Sequence, residues 1–131
     1  MTRKEKALEN HKKGYNCAQA VASVFSDITA VDEDTLYKMS EAFGGGMGGT
    51  KGVCGAVSAM VMVAGLLNSK GIEALPDTNK MTSYKVAGDM IRKFEEMNQT
   101  ILCSRLKGEE IRSCDDCICD AVEIIETMLL K

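Results

Sequence analysis

The sequence predicts an all-α fold, a compact bundle of about five helices with a glycine-rich loop before a central buried helix. Three observations carry this expectation. No stretch shows the period-two alternation of a half-buried strand, whereas apolar residues recur at helical spacing along most of the chain. Pro76 is the only proline, so almost nothing forbids helix on backbone grounds. Nine methionines supply long, unbranched apolar side chains that helices tolerate well.

The first helix is expected from about Thr2 to Phe25, with a break or kink at Gly14. In its second half Gly14, Cys17, Val21, Val24, Phe25 and Ile28 share one stripe, which turns Cys17 inward. The second follows the acidic opening Asp32-Glu33-Asp34, whose charges suit the positive end of a helix. It carries Leu36, Met39 and Phe43 inward and ends at the glycines. Between Gly44 and Gly52, six of nine residues are glycine. A loop so costly in conformational entropy allows positive φ angles and close approach of backbone to a neighbour.

The third helix runs from near Cys54 to about Asn68 and is apolar on nearly every face, which places it at the centre. The fourth is expected after Pro76, with Asp77 or Thr78 as N-cap, and extends to about Gln99 with Met81, Tyr84, Met90, Ile91, Phe94 and Met97 among its apolar positions. A short connection holds Cys103 and Gly108. The last helix starts after Ser113, where Ser113-Cys114-Asp115-Asp116 resembles a capping box with Asp in place of Glu.

A chain of 131 residues is expected to form one domain, residues 1–131, large enough to fold without disulfides or metal. The charged start, Met1 to Lys6, has no apolar signal-peptide segment, and the longest apolar run, Cys54 to Leu67, is too short and too diluted by glycine to span a bilayer. A cytoplasmic protein with no membrane partner is therefore expected. Net charge is −3, basic residues are scattered, and there are only three Phe and three Tyr, so no nucleic-acid partner is expected. The methionines are core filler, with a homodimer as the oligomeric expectation where they line a surface.

The six cysteines then become the informative feature: Cys17, Cys54, Cys103, Cys114, Cys117 and Cys119. In a reducing compartment such a set points to metal or redox chemistry rather than to structural staples, although buried cysteine is also ordinary core material. On a helical wheel of the last helix, Ile118, Ala121, Val122, Ile125 and Leu129 form the apolar face. Cys114 lies near its centre, Cys117 on one shoulder, and Cys119 on the opposite shoulder beside Glu123 and Glu126. Cys114 and Cys117 thus point inward together, and Cys119 is expected outside any site. Cys54 and Cys114 each fall in or beside a first helical turn, where free N–H groups and the helix dipole favour thiolate. A lone Cys-x-x-Cys pair is half of a tetrahedral site, so four ligands require Cys17, Cys54 and Cys103 to be gathered from separate helices.

Gly14-Tyr15-Asn16-Cys17-Ala18-Gln19-Ala20-Val21, then Ala42-Phe43-Gly44-Gly45-Gly46-Met47-Gly48-Gly49 and Gly52-Val53-Cys54-Gly55-Ala56-Val57-Ser58-Ala59, resemble the motifs of the redox-active C_GCAxxG_C_C family. Cys103 and the Cys114/Cys117 pair fit its later cysteines. The resemblance spans almost the whole chain and implies an all-helical protein with four characteristic cysteines and a redox role. It also implies kinship to split-Soret cytochromes, in which a cysteine iron–sulfur site is inferred beside haem. This chain has no Cys-x-x-Cys-His, and His11 is its only histidine, so haem is not expected. Ala59 stands where the family motif often ends in glycine.

The leading functional expectation is a redox protein in which Cys17, Cys54, Cys103 and Cys114 or Cys117 hold an iron–sulfur cluster or other metal, or in which a pair led by Cys54 and Cys117 cycles between dithiol and disulfide with a redox partner protein. Gly45, Gly46, Gly49 and Gly52 are then expected to bring backbone N–H groups to the sulfurs. The alternative is a Cys₄ zinc protein without redox chemistry. A nucleotide site on Gly44-Gly45-Gly46-Met47-Gly48-Gly49 lacks the preceding strand and the βαβ unit that the glycine motif requires. Hydrolysis by a Cys–His pair would have to use His11, which sits among Lys12 and Lys13 and is expected to be a solvated surface residue.

Overall fold

The computed structural model describes residues 1–130. Among them eight α-helices form: α1 (Arg3–Lys13), α2 (Cys17–Ser23), α3 (Ser26–Thr29), α4 (Glu33–Glu41), α5 (Gly55–Asn68), α6 (Lys80–Asn98), α7 (Cys103–Gly108) and α8 (Cys114–Leu129). A 3₁₀ turn at Ile72–Ala74 is the remaining helical piece, and no strand forms among the described residues. The all-α expectation holds, with more and shorter helices than five.

Part of the extra count comes from the first predicted helix, which breaks at Gly14, where the sequence predicts a break, into α1 and α2, with the short α3 following beyond its expected end at Phe25. Gly14 ends α1 in the left-handed region (φ 117°), its N–H donating to the carbonyls of Asn10 and His11. Asn16 then opens α2: its side chain accepts from the Gln19 N–H, and the Gln19 side chain accepts from the Asn16 N–H. This capping box makes Cys17 the first residue of a new helix rather than the middle of a long one. Cys103 and Gly108, expected in a connection, are instead the first and last residues of the short α7. Asp77 and Thr78 are not the cap of α6, which starts at Lys80 behind Asn79.

The centre is α5. No residue from Gly55 to Asn68 is exposed, and Ala56, Val57, Ala59, Met60, Val63 and Ala64 are buried. Helices α2, α6 and α8 pack around it, and α4 closes over α2. The core is completed by Val21, Phe25, Leu36, Phe94, Ile118, Val122 and Ile125, all inaccessible to solvent. Met39, expected inward, is 46% exposed, and Met81 and Tyr84 at the start of α6 project beyond the core. No helix among the described residues is long and apolar enough to cross a membrane.

Two packing arrangements fix where α8 begins. Helix α1 lies along α8, with Ala7 fully buried between them and Lys4–Glu123 and His11–Asp115 contacts at successive points. The start of α8 is also tied to the end of α6 by Arg112, whose guanidinium donates to Asn98 Oδ1 (2.8 Å) and Asp120 Oδ2 (2.7 Å).

Candidate functional site

Five cysteines stand at helix starts. Cys17 is the first residue of α2, Cys103 of α7 and Cys114 of α8; Cys54 caps α5; Cys117 lies one turn into α8. The segment 43–54 brings these starts together. Asn16, next to Cys17, donates through Nδ2 to the Glu41 carbonyl (2.9 Å), and Gly44 packs on the same side chain, so that a Cβ there would fall 2.4 Å from Nδ2. Gly46 (φ +74°) lies against Cys103: a Cβ would sit 2.7 Å from the Cys103 Cβ and 2.7 Å from the Lys51 Cα. Only glycine combines that left-handed backbone with that approach. The Cys103 N–H donates to the Gly52 carbonyl and the Cys54 N–H to the Ile101 carbonyl, both at 2.7 Å, around an isolated bridge between Val53 and Leu102. The loop therefore clips the starts of α2, α5 and α7 to one another.

The thiols meet in two pairs. Cys17 and Cys114 have their sulfurs within 4.8 Å of one another and of a ring nitrogen of His11. Here the Cys17 thiol hydrogen-bonds to Cys114 and holds it low, and the Lys107 ammonium bonds the same sulfur, with His11 adding a smaller attraction; together they pull the Cys114 thiol down to about 5 against the cost of its partial burial. Cys17, protonated as the donor and desolvated, is pushed up. The second pair repeats the logic more deeply. Cys117 hydrogen-bonds to Cys54, and the Ala56 and Val57 N–H groups in the first turn of α5 add to it, lowering the Cys54 thiol to about 7 although burial opposes this. Cys117 is pushed up by the same bond and by burial. Each pair is thus one thiolate beside one thiol, as expected where two sulfurs share a proton.

The two pairs also interact electrostatically with each other: Cys17 with Cys54 and Cys117, and Cys114 with Cys54 and Cys117. Four sulfurs therefore form an electrostatic set, of which Cys17 and Cys114 are the two that gather within 4.8 Å with a further donor, His11. Cys103 stands beside it, raised mainly by burial and within electrostatic range of Cys54 and Cys114, but in neither pair. Cys119 faces α1 next to Lys4, away from the set, and burial raises its thiol. Both Cys114 and Cys117 join the set, each with its own partner.

The glycines act as spacers more than donors. The N–H groups of Gly48, Gly49 and Gly52 donate to the carbonyls of Ala42, Gly44 and Gly46, and that of Lys51 to Gly45. Gly45 packs on Gly49, where a Cβ would meet the Gly49 Cα at 2.9 Å. The N–H groups that help lower a cysteine thiol belong instead to Ala56 and Val57, just after Cys54.

His11 differs from the sequence expectation. Its side chain is 28% exposed rather than solvated, its Nδ1 lies 2.8 Å from Asp115 Oδ1, and it joins Cys17 and Cys114. The available signal was its place four residues after Ala7, on the face α1 buries against α8.

A scan of family descriptions matches residues 15–128 to "Putative redox-active protein (C_GCAxxG_C_C)". The chain belongs to the C_GCAxxG_C_C family. No curated protein and no solved structure matches it. For this C_GCAxxG_C_C protein, the geometry supplies what thiol redox chemistry and soft-metal binding both require. Thiolate is present near neutral pH, a second thiol adjoins each thiolate, and cationic groups and helical N–H donors surround them. His11, outside the matched residues, adds an imidazole to the outer pair.

Proposed function

We propose that this protein transfers electrons through an iron–sulfur cluster of the two-iron type, held by Cys17 and Cys114 on one side and Cys54 and Cys117 on the other. The observation that carries this reading is the two-by-two grouping of four interacting sulfurs. A two-iron cluster takes four protein thiolates, two per iron. When bound, such a cluster supplies a one-electron couple whose potential follows its hydrogen bonds, charge and exposure.

The chain's own groups suit that task. The Ala56 and Val57 N–H groups and the Lys107 ammonium neutralise thiolate charge, which favours the reduced, more negative state. Burial of Cys54 and Cys117, at 5% and 2% exposure, keeps water from the inner side, while Cys17 and Cys114 are partly open. A single ion in a Cys₄ site would bring all four sulfurs to about 3.8 Å of one another, from tetrahedral geometry with zinc–sulfur bonds near 2.3 Å. The pairwise grouping supports that zinc alternative less well.

The deciding experiment is iron and acid-labile sulfide analysis of protein prepared and reconstituted without oxygen. About two of each per chain is the expected result, with a signal in electron paramagnetic resonance after one-electron reduction. Protein that takes up neither iron nor sulfide overturns the reading. A second reading rests on the outer pair alone. With the Cys114 thiol held at about 5 and Cys17 adjacent, the Cys114 thiolate can attack a partner's disulfide and Cys17 can displace the mixed disulfide; the Cys17–Cys114 bond forms, the partner's S–S bond breaks, and two electrons and the pair's one proton pass to the partner, which leaves as a reduced dithiol with one sulfur as thiolate.

A further inference from the structure

We infer that His11, Cys17 and Cys114 form a self-sufficient site for one soft divalent cation of the zinc class, with the fourth position open to solvent or an added ligand. Such a site does not depend on the iron–sulfur reading, although it uses two of the same sulfurs.

One nitrogen and two sulfurs lie mutually within 4.8 Å, a separation that a small inward movement closes around one ion. Two thiolates and an imidazole are a recognised donor set for zinc that retains an open coordination position. The imidazole is held by a carboxylate. With Nδ1 donating to Asp115 Oδ1 at 2.8 Å, Nε2 carries the free lone pair, and a carboxylate behind a histidine is the usual outer partner of a metal ligand.

The three ligands come from α1, α2 and α8, and each is partly exposed, so a cation reaches them without opening the core. A shallow pocket of about 440 Å³ lined by Leu106, Lys107, Glu110, Arg112, Ser113 and Cys114 opens on this side. The inner pair, Cys54 and Cys117, is buried and contributes no ligand.

Lys107 is the resident competitor. Its ammonium bonds the Cys114 sulfur, so a cation must displace a positive charge to bind. Two substitutions at this rim therefore act in opposite directions. His11→Gln removes a ligand, and Lys107→Met removes the competitor while keeping an apolar stem of similar length.

The test is anaerobic titration of the full, reduced, metal-free chain with cobalt(II), followed by displacement with zinc(II). Expected for the unaltered chain is one cobalt per chain, with sulfur-to-cobalt charge-transfer absorption and the visible bands of tetrahedral coordination. His11→Gln should weaken binding at least about tenfold, the scale of disturbing a metal site's immediate support, and Lys107→Met should tighten it. The Cys54→Ser/Cys117→Ser double variant should retain the cobalt spectrum while losing any iron–sulfur cluster. This arm separates the two readings: loss of iron uptake with cobalt retained leaves the three-ligand site standing. Unchanged affinity in His11→Gln overturns the proposal, as does loss of the cobalt spectrum in a folded double variant.

Discussion

The Lys107 ammonium, one residue before the end of α7, bonds the sulfur of Cys114, the first residue of α8. The contact joins a permanent cation to the thiolate of the outer pair, and each raises the ionised fraction of the other: the lysine is held above its ordinary value mainly by this bond. Removing Lys107 should therefore move Cys114 upward. In the unaltered reduced protein, the alkylation rate at Cys114 should be nearly constant from pH 6 to pH 8, because a thiol at about 5 is already ionised there. In Lys107→Met the rate should rise with pH across that interval. Mass spectrometry of iodoacetamide-treated protein at several pH values reads this directly.

Stability of the reduced, metal-free chain should follow the same protons. An unfolded cysteine ionises near about 8.5. Cys114, lowered to about 5, is ionised in the folded state while its unfolded counterpart still holds a proton, so its contribution grows as pH rises from about 5 to 8.5 and is lost as pH falls through that interval. Cys54, at about 7, adds to it over the upper part. Above about 8.5 the sign reverses, because Cys17 and Cys117 remain protonated when folded but ionise when unfolded. Anaerobic urea denaturation across pH 5 to 10 should show the thiol contribution peaking near pH 8, and it should be absent in the quadruple Cys→Ser variant.

The clip between the glycine loop and α7 should be sensitive to a single methyl group. Gly46→Ala combines a left-handed backbone with a Cβ 2.7 Å from both Cys103 and Lys51, and should cost about 2–4 kcal/mol. Gly49→Ala shares the positive φ (+75°) but meets nothing within 4 Å, and should cost about 1–2 kcal/mol. Equal losses for the two in denaturant titrations would show that the approach to Cys103 carries no weight.

The cysteines should separate by function. Serine at position 17, 54, 114 or 117 should abolish cluster assembly, while Cys119→Ser should leave iron and sulfide content unchanged. Cys103→Ser should retain iron, because Cys103 belongs to neither pair. Iron content measured on the six single variants after anaerobic reconstitution is the check. Loss in Cys103→Ser with retention in Cys114→Ser would reassign the ligand set.

The sequence carried the parts whose signals are local. Helix α5 shows as an uninterrupted apolar run behind glycines, and α8 opens where the sequence predicts, at Ser113, whose hydroxyl accepts from the Asp116 N–H at 3.1 Å. The division of the first helix is also written locally, in Gly14, where the sequence marks a break, and in the Asn16-to-Gln19 box that opens α2. What lies beyond a local reading is the pairing. Which of Cys114 and Cys117 meets Cys17 depends on how α8 sits against α2 and α5, and a helical wheel states only that both face inward. His11 shows the same limit: Lys12 and Lys13 make its surroundings look solvated, while the docking of α1 on α8 sets it beside two sulfurs.

That docking has a consequence for biosynthesis. The sulfur set and its imidazole run from His11 to Cys117, so no short stretch of chain holds even a workable majority of the donors. A cofactor held by this set would have to wait until α8 has left the ribosome and packed, because contacts this distant in sequence close late. A nascent chain carries its thiols singly and unpaired through most of its synthesis, and a metal delivered early finds scattered cysteines rather than a site. On the reading proposed above, insertion of such a cofactor would follow the docking of α8 on α1, α2 and α5.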